Sequence, residues 1–163
     1  MGPAGAGKTV VGRALAAALA WPFVDADELH DDAARAKMAA GVPLDDADRA
    51  PWLQRIARRL VELTATRDGA HAGAVLACSA LRIAYRDVLR TAAAEMRFVL
   101  LDADDATLSR RVAGRSGHFM PATLVASQLA TLERSPDLVT VDATRPVAEI
   151  VAGVLARLGL APA

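Results

Sequence analysis

The chain opens with "MGPAGAGKTVVGRALAAAL" (residues 1–19), and residues 2–9 match the pattern G-x-x-x-x-G-K-[ST]. This pattern is typical of a phosphate-binding loop. Its small residues let backbone N–H groups surround phosphate oxygens, and the following helix turns its N-terminus toward the anion. An apolar, Ala-rich helical segment follows directly, as such a loop requires. We therefore predict a nucleotide site here, rather than a glycine-rich turn in front of a helix.

Six of the eight residues of this loop have an expected part in holding ATP and Mg²⁺. Lys8 adds a positive charge near the β- and γ-phosphates, which also makes it a candidate catalytic residue. Thr9 can place its hydroxyl group on Mg²⁺. The other candidate nucleotide-binding residues in the loop have small side chains or none: Gly2, Gly5, Ala6 and Gly7.

Composition limits the class of protein. The length of 163 residues predicts a single domain, residues 1–163. With 19 acidic and 19 basic residues the net charge is zero, which gives no bulk attraction to nucleic acid. The sequence contains no run of about 18 uncharged apolar residues, the length that would be needed to span a bilayer. The single cysteine, Cys78, excludes an intrachain disulfide, and we expect a cytoplasmic, reducing environment.

Apolar runs alternate with helical patterns along the chain. Continuous apolar runs near residues 22–25, 74–78, 97–102 and 138–142 predict strands buried on both faces, as in a parallel sheet. Between them, apolar residues recur at steps of three or four, most clearly over residues 52–63. This alternation predicts an α/β fold in which helices cover a parallel sheet.

The segment "PFVDAD" (22–27) predicts a short strand that ends in two acidic residues, both within "VDADELH" (24–30). Asp25 and Asp27 are two apart, so on an extended chain both side chains would face the same side. At the carboxyl end of a strand, one could hold a water of Mg²⁺, and we assign that metal role to Asp25. Asp27 could then accept the proton of a substrate hydroxyl. The alternative is that Asp27 caps a helix and Asp25 is merely solvated.

Three further blocks are more specific than the phosphate-binding loop: "HDDAARAKMAAGVPLDDADRAPWL" (30–53), "CSALRIAYRDVLR" (78–90) and "RSGHFMPATLVASQLATLE" (115–133). They resemble the gluconokinase family of small kinases with a phosphate-binding loop. The resemblance covers almost the whole chain in matching order. Four positions depart from the family pattern. Ala26 stands in place of a usual Gly, Asp31 in place of a usual Pro and Ala34 in place of a usual Asn, and the usual Pro after Glu133 is displaced to Pro136. These departures leave the preference among sugar acids open.

The resemblance implies transfer of the γ-phosphate of ATP to the 6-hydroxyl of D-gluconate, giving 6-phosphogluconate and ADP. Cations would bind the carboxylate of gluconate, and acceptors would bind its hydroxyls. The candidate substrate-binding residues are Asp27, which is also a candidate catalytic residue, His30, Lys37, Arg49, Arg82 and Arg86. A mobile lid is expected at about residues 111–122. There Arg111 and Arg115 would bind the nucleotide, and Arg115 would neutralise charge on the transferring phosphoryl group as a catalytic residue.

The partner implied is the small molecule D-gluconate, with no nucleic acid and no membrane, and a homodimer is compatible with it. Two alternatives stay open at this point. One is a related kinase of the shikimate type, although such kinases lack a block like "KMAAGVPLDDADRAPWL" (37–53). The other is a nucleotide-binding protein without activity, since the strand that should carry the loop is missing.

The missing strand follows from the implied fold. A phosphate-binding loop of the P-loop NTPase and nucleoside-monophosphate-kinase-like type lies after the central strand of a parallel sheet ordered 2-3-1-4-5. Here only Met1 precedes Gly2. We expect the first strand to be absent, either because the sequence starts too late or because this is a short form with a gap in its sheet. Each buried backbone group left unpaired at such a gap costs about 1–3 kcal/mol.

Overall fold

The computed structural model describes residues 1–65, 73–93, 95–114 and 123–163. Strands and helices alternate through these ranges, which confirms the predicted α/β organisation and its four strands. The strands are β1 (Phe23–Asp25), β2 (Val75–Ala77), β3 (Phe98–Asp102) and β4 (Leu138–Asp142). The helices are α1 (Lys8–Ala18), α2 (Asp32–Ala39), α3 (Asp46–Ala65), α4 (Ile83–Arg90), α5 (Asp105–Ala113), α6 (Thr123–Thr131) and α7 (Val147–Leu158), with a short 3₁₀ helix at Ala26–Leu29.

The strands form two parallel pairs. β1 pairs with β2, with Asp25 opposite Ala77, and β3 pairs with β4, with Asp102 opposite Asp142. The parallel direction agrees with the sequence prediction. The full order 2-3-1-4-5 remains a prediction, because the structure shows the two pairs as separate sheets.

Met1 and Gly2 lie between the two pairs. The amino group of Met1 donates to the carbonyl of Val99, and the N–H of Leu101 donates to the carbonyl of Met1 at 2.9 Å. The N–H of Gly2 donates to the carbonyl of Ser79 at 3.3 Å. Met1 therefore bonds to β3 as a parallel strand would, while Gly2 bonds to the chain just after β2.

A cavity of about 480 Å³ extends from this point between β2 and β3. Most of its lining is apolar and comes from the two strands and from helices α1 and α7; the lining includes Met1, Leu15, Val75, Leu76, Ala77, Val99, Leu101 and Val154. In the described ranges, no strand precedes the phosphate-binding loop and none lies between β2 and β3. The cavity lies where the predicted order 2-3-1-4-5 would place a central strand.

Helix α3 holds the turn after β1. Its residues Trp52, Ile56 and Leu60 are buried and belong to one apolar cluster with Ala26 and Leu89. These are members of the predicted apolar stripe of residues 52–63, so the stripe is confirmed as the buried face of this helix. It places the start of α3, with its charged residues, beside the carboxyl end of β1.

The region of the predicted lid is described only at its start. Arg111 lies in the last turn of α5, and residues 115–122 lie outside the described part of the chain. The lid therefore stays a prediction, as does the assignment of residues 1–163 to one domain. Among the helices in the described ranges, none has the length and apolar character needed to cross a bilayer.

Candidate active site

The phosphate-binding loop is held closely against α5. Gly5 has a φ of +80°, and a Cβ at this position would lie 2.6 Å from the carbonyl oxygen of Leu108. Gly7 is the N-cap of α1 and also has a left-handed conformation, with φ 89°. L side chains rarely adopt this conformation, so the loop depends on glycine at both positions. The result is a tight loop that leads directly into a helix N-terminus, as the motif predicted.

Two predicted nucleotide-binding cations contact carbonyl groups of this loop. The Nζ of Lys8 donates to the carbonyl of Pro3 at 3.0 Å, and Nη1 of Arg111 approaches the carbonyl of Gly5 at 3.5 Å. The structure therefore brings Lys8, Arg111 and the small loop residues together. The third predicted cation, Arg115, lies outside the described residues.

Thr9 and Asp25 form the expected pair at the carboxyl end of β1. The Thr9 hydroxyl donates to Oδ2 of Asp25 at 2.9 Å, and Oδ1 of Asp25 accepts the N–H of Asp27 at 3.2 Å. Hydroxyl and carboxylate oxygens are the hard ligands that Mg²⁺ prefers, with waters and substrate phosphates completing its octahedron. The two side chains thus fit a magnesium ion beside the loop.

The position of Asp27 differs from the sequence expectation. The strand ends at Asp25, and Asp27 lies exposed in the 3₁₀ helix, so the argument from a shared strand face does not hold. The physical reason is the side chain of Asp25, which caps the 3₁₀ helix by accepting the N–H of Asp27 and so diverts the backbone from the extended form. The alternative, in which Asp27 caps a helix and Asp25 is solvated, is also wrong, because the side chain that caps the 3₁₀ helix belongs to Asp25.

Trp52 and His30 support the turn that carries these carboxylates. Nε1 of Trp52 donates to the carbonyl of Ala26 at 2.7 Å, and the His30 ring stacks on Trp52 with ring centroids 4.5 Å apart. His30 is buried, and its Nδ1 has no hydrogen-bond partner in the described part of the chain. Burial lowers the pKa of His30, so the ring is neutral near pH 7. In this structure the His30 ring is thus engaged in stacking on Trp52.

Two of the four predicted substrate cations are paired with carboxylates. Lys37 lies 2.6 Å from Asp48, which raises the pKa of Lys37. Arg82 makes two contacts with Asp46, of 2.8 and 2.9 Å, and Asp46 also accepts the hydroxyl of Tyr85. The Tyr85 and Arg82 hydrogen bonds hold the pKa of Asp46 below its usual value, so this carboxyl is ionised near neutral pH.

Arg49 contacts Tyr85 and, unlike Lys37 and Arg82, has no carboxylate partner in the described ranges. Its Nη1 donates to the Tyr85 hydroxyl at 3.3 Å, and its guanidinium lies 5.6 Å from the Tyr85 ring centroid. Within the described ranges no carboxylate forms an ion pair with Arg49. Arg49 and Arg82 both lie within 6 Å of the same ring, so the structure groups them around Tyr85.

Arg86 is fully buried, unlike the other three cations. Its guanidinium donates to the carbonyls of Ala80, Leu81 and Glu133 at 2.8–3.2 Å. Burial lowers the pKa of Arg86. These contacts leave the side chain committed to backbone carbonyls, which is a structural arrangement rather than an open binding group.

Sequence reasoning assigned no role to four residues that shape the site. Asp46 and Tyr85 organise Arg49 and Arg82, while Gln128 and Glu133 contact the phosphate-binding loop and the Arg82 turn. All four lie within the blocks that resemble the gluconokinase family. Their presence in those blocks was the available signal, but the blocks gave no indication of which partners they meet.

The chain is similar to known proteins over most of its length. A family model described as an AAA domain matches residues 1–137. The chain is 48% identical over 133 residues to a gluconokinase of Gluconobacter oxydans, covering 82% of this chain and 72% of the relative. It is 38% identical over 154 residues to the thermosensitive gluconokinase of Escherichia coli, covering 92% of this chain and 80% of the relative.

Solved structures show the same likeness in three dimensions. A gluconokinase from Sinorhizobium meliloti superposes with a TM-score of 0.83 at 42% identity, covering 98% of this chain and 89% of that one. This confirms the predicted P-loop kinase-like fold, and the alternatives of a shikimate-type kinase and an inactive nucleotide-binding protein are not favoured. Because the likeness extends over most of this chain and most of each relative, the protein belongs to the gluconokinase family.

Proposed function

We propose that this protein transfers the γ-phosphate of ATP to the 6-hydroxyl of D-gluconate. The observation that carries the proposal is the position of Asp27 beside the Thr9–Asp25 pair at the phosphate-binding loop. A carboxylate there is close to where the γ-phosphate would lie. The family membership supports the substrate, since the curated relatives are gluconokinases.

Asp27 is the proposed acceptor of the hydroxyl proton. The 6-hydroxyl oxygen forms a bond to the γ-phosphorus, the bond from that phosphorus to the β-γ bridging oxygen breaks, and ADP leaves with the bond electrons. The proton of the hydroxyl passes to the Asp27 carboxylate. Asp27 is exposed in the described part of the chain, so a substrate hydroxyl has access to it.

Lys8 and the magnesium site would handle the phosphate charge. Lys8 would exchange its contact with the Pro3 carbonyl for the β- and γ-phosphate oxygens. Thr9 and Asp25 would hold Mg²⁺, which neutralises charge on the phosphates when bound. Arg111, at the loop carbonyl of Gly5, would add a further positive charge at the nucleotide.

Arg49 is the proposed ligand of the gluconate carboxylate. Lys37 and Arg82 already have carboxylate partners, and Arg86 is buried on backbone carbonyls. Arg49 retains a guanidinium whose described contacts are the hydroxyl and ring of Tyr85. A planar guanidinium binds a carboxylate with two parallel hydrogen bonds, which suits this role.

Product identification tests the proposed reaction. Purified protein with Mg-ATP is incubated with D-gluconate, shikimate or other sugar acids, ADP release is followed by a coupled assay, and the product is identified by mass spectrometry and ³¹P NMR. We expect ADP release with D-gluconate and a phosphomonoester on the 6-carbon. Phosphorylation of shikimate in preference to gluconate, or no transfer to any sugar acid, would contradict the proposal.

A substitution at Arg49 tests the carboxylate assignment. Arg49→Gln should raise KM for D-gluconate by about tenfold or more, since a charge-assisted hydrogen bond contributes about 1.5–3 kcal/mol. Activity with a neutral hexitol, which has no carboxylate, should change little. Arg58→Gln is the matched control, because Arg58 is an exposed arginine on the same helix. An unchanged KM in Arg49→Gln would exclude this residue as the carboxylate ligand.

A further inference from the structure

Helix α6 contacts the phosphate-binding loop through Gln128. The Oε1 of Gln128 accepts the N–H of Ala4 at 2.6 Å, across 124 positions of sequence. The orientation of this amide is decided by chemistry, because a backbone N–H needs an acceptor and only the amide oxygen supplies one. Ala4 lies in the loop between Gly2 and Gly5, so Gln128 sets the orientation of a peptide unit within the nucleotide site.

Five residues later, Glu133 contacts the opposite half of the site. Its N–H donates to the carbonyl of Leu81 at 2.9 Å, and its Oε2 accepts the N–H of Ile83 at 2.5 Å. Ile83 is the first residue of α4, so the carboxylate also lies favourably at the positive end of that helix. Leu81 and Ile83 flank Arg82, the cation that pairs with Asp46.

Buried Arg86 makes this second contact rigid. It donates to the carbonyl of Glu133 at 2.8 Å and also to the carbonyls of Ala80 and Leu81. Ala80 has a φ of +44°, a left-handed conformation that costs an L residue free energy and needs surrounding contacts to hold it. Arg86 therefore connects the turn of residues 80–82 to Glu133, just after the end of α6.

We propose that residues 128–133 form a brace between the phosphate-binding loop and the Arg82 turn, with Gln128 and Glu133 as positioning residues for phosphoryl transfer. The brace sets the separation between the nucleotide half and the acceptor half of the site. Filling the loop with nucleotide then orders the Arg82 turn, and binding of the acceptor favours binding of ATP to the same degree. This inference rests on the proposed function, in which Arg49 binds the acceptor, because Arg82 lies beside Arg49 at the ring of Tyr85.

Hydrogen exchange tests the brace without using gluconate. Amide exchange over residues 81–89 is measured with and without a saturating non-hydrolysable ATP analogue and Mg²⁺, saturation being checked by titration for each variant. In the wild type we expect the analogue to slow exchange by about tenfold, equivalent to a coupling near the lower end of the usual 1–3 kcal/mol. Gln128→Ala and Glu133→Ala should each lose this protection, although both bind the analogue.

Two control variants separate positioning from a general loss of structure. Ser127→Ala, an exposed neighbour on α6, should keep the protection. Glu133→Gln retains an oxygen that accepts the Ile83 N–H, so it should rescue most of what Glu133→Ala loses. Full protection in Gln128→Ala and Glu133→Ala, or loss of protection in Ser127→Ala, would overturn the brace.

A second measurement connects the brace to the acceptor. The Kd for D-gluconate is determined with and without the ATP analogue, and the ratio of the two values is the coupling. We expect Gln128→Ala and Glu133→Ala each to reduce this ratio by about threefold or more, and the double variant to reduce it no further, because both break one connection. Reductions that multiply in the double variant would overturn the proposal. A wild type that does not bind gluconate would count against the proposed substrate, and the exchange experiment would still decide the brace.

Discussion

A protein produced from Met1 onward should be less stable than the same protein extended upstream of Met1 by an apolar strand, by an amount that depends on pH. The Met1 amino group is largely removed from water, and this desolvation lowers its pKa from 8.0 to about 5. Above pH 8 the amine is neutral in both the folded and unfolded states. As pH falls below 8 the unfolded chain binds a proton that the folded chain refuses, so stability declines until about pH 5.

The size of this effect follows from the two pKa values. Keeping the amine neutral in the fold costs about 1 kcal/mol at pH 7 and about 4 kcal/mol at pH 5. An engineered extension of five apolar residues replaces the amine by an amide that still donates to the Val99 carbonyl, and it also fills the cavity of about 480 Å³ between β2 and β3. For a chain of this size each kcal/mol raises Tm by roughly 2–4 °C.

Thermal melting at pH 5, 7 and 9 measures the gain. A five-residue Gly-Ser extension is the matched control, because it removes the buried charge but leaves the cavity without apolar side chains. The Gly-Ser extension should recover only the pH-dependent part of the lost stability, so its Tm should show no gain at pH 9. The protein with the apolar extension should have a higher Tm than the Gly-Ser protein at every pH. Binding of Mg-ATP should raise Tm further in the apolar extension, because the loop is better held. Identical melting curves for all three proteins would refute this reasoning.

Three substitutions give further tests. Lys8→Ala should lower kcat by at least about 100-fold with an unchanged circular dichroism spectrum, since it removes the cation at the transferring phosphate; near-normal turnover would count against the site. Asp27→Asn should bind ATP normally but lose transfer, because the amide cannot take the proton, and a coupled assay beside a nucleotide titration separates the two. Trp52→Phe keeps an aromatic partner for His30 but leaves the Ala26 carbonyl unpaired, which should cost about 1–3 kcal/mol in urea unfolding; full stability would show that this hydrogen bond is dispensable.

The strands and the loop could be predicted because their signals are local. Continuous apolar runs mark the four strands to within about two residues, and the glycines of the loop reflect conformations that the backbone needs at those positions. The extension of β1 to residue 27 was wrong for a local reason as well. A side chain that bonds to the backbone two residues later competes with the strand, and Asp25 does so.

The contacts of the site could not be predicted in the same way, because each joins positions far apart in sequence. Arg82 meets Asp46 across 36 positions, and Gln128 meets Ala4 across 124. Periodicity carries no information about such pairs. The charge of Arg86 and its place in a family block can be read from the sequence, but its burial on backbone carbonyls depends on how the turn of residues 80–82 packs against the segment after α6.

These pairings bear on which acceptor charge the site accommodates. Lys37 with Asp48 and Arg82 with Asp46 are neutral pairs on exposed or partly exposed side chains, and such pairs contribute only about 0–1 kcal/mol each. Arg49 then leaves one positive charge near Tyr85, which matches an acceptor with a single carboxylate. An acceptor with two carboxylates would have to displace Asp46 or Asp48 from its partner and leave that carboxylate beside its own negative charge. We therefore expect a lower KM for a monocarboxylate such as gluconate than for the corresponding dicarboxylic sugar acid. Asp46→Asn should reduce the difference between the two KM values, because it removes the competing negative charge.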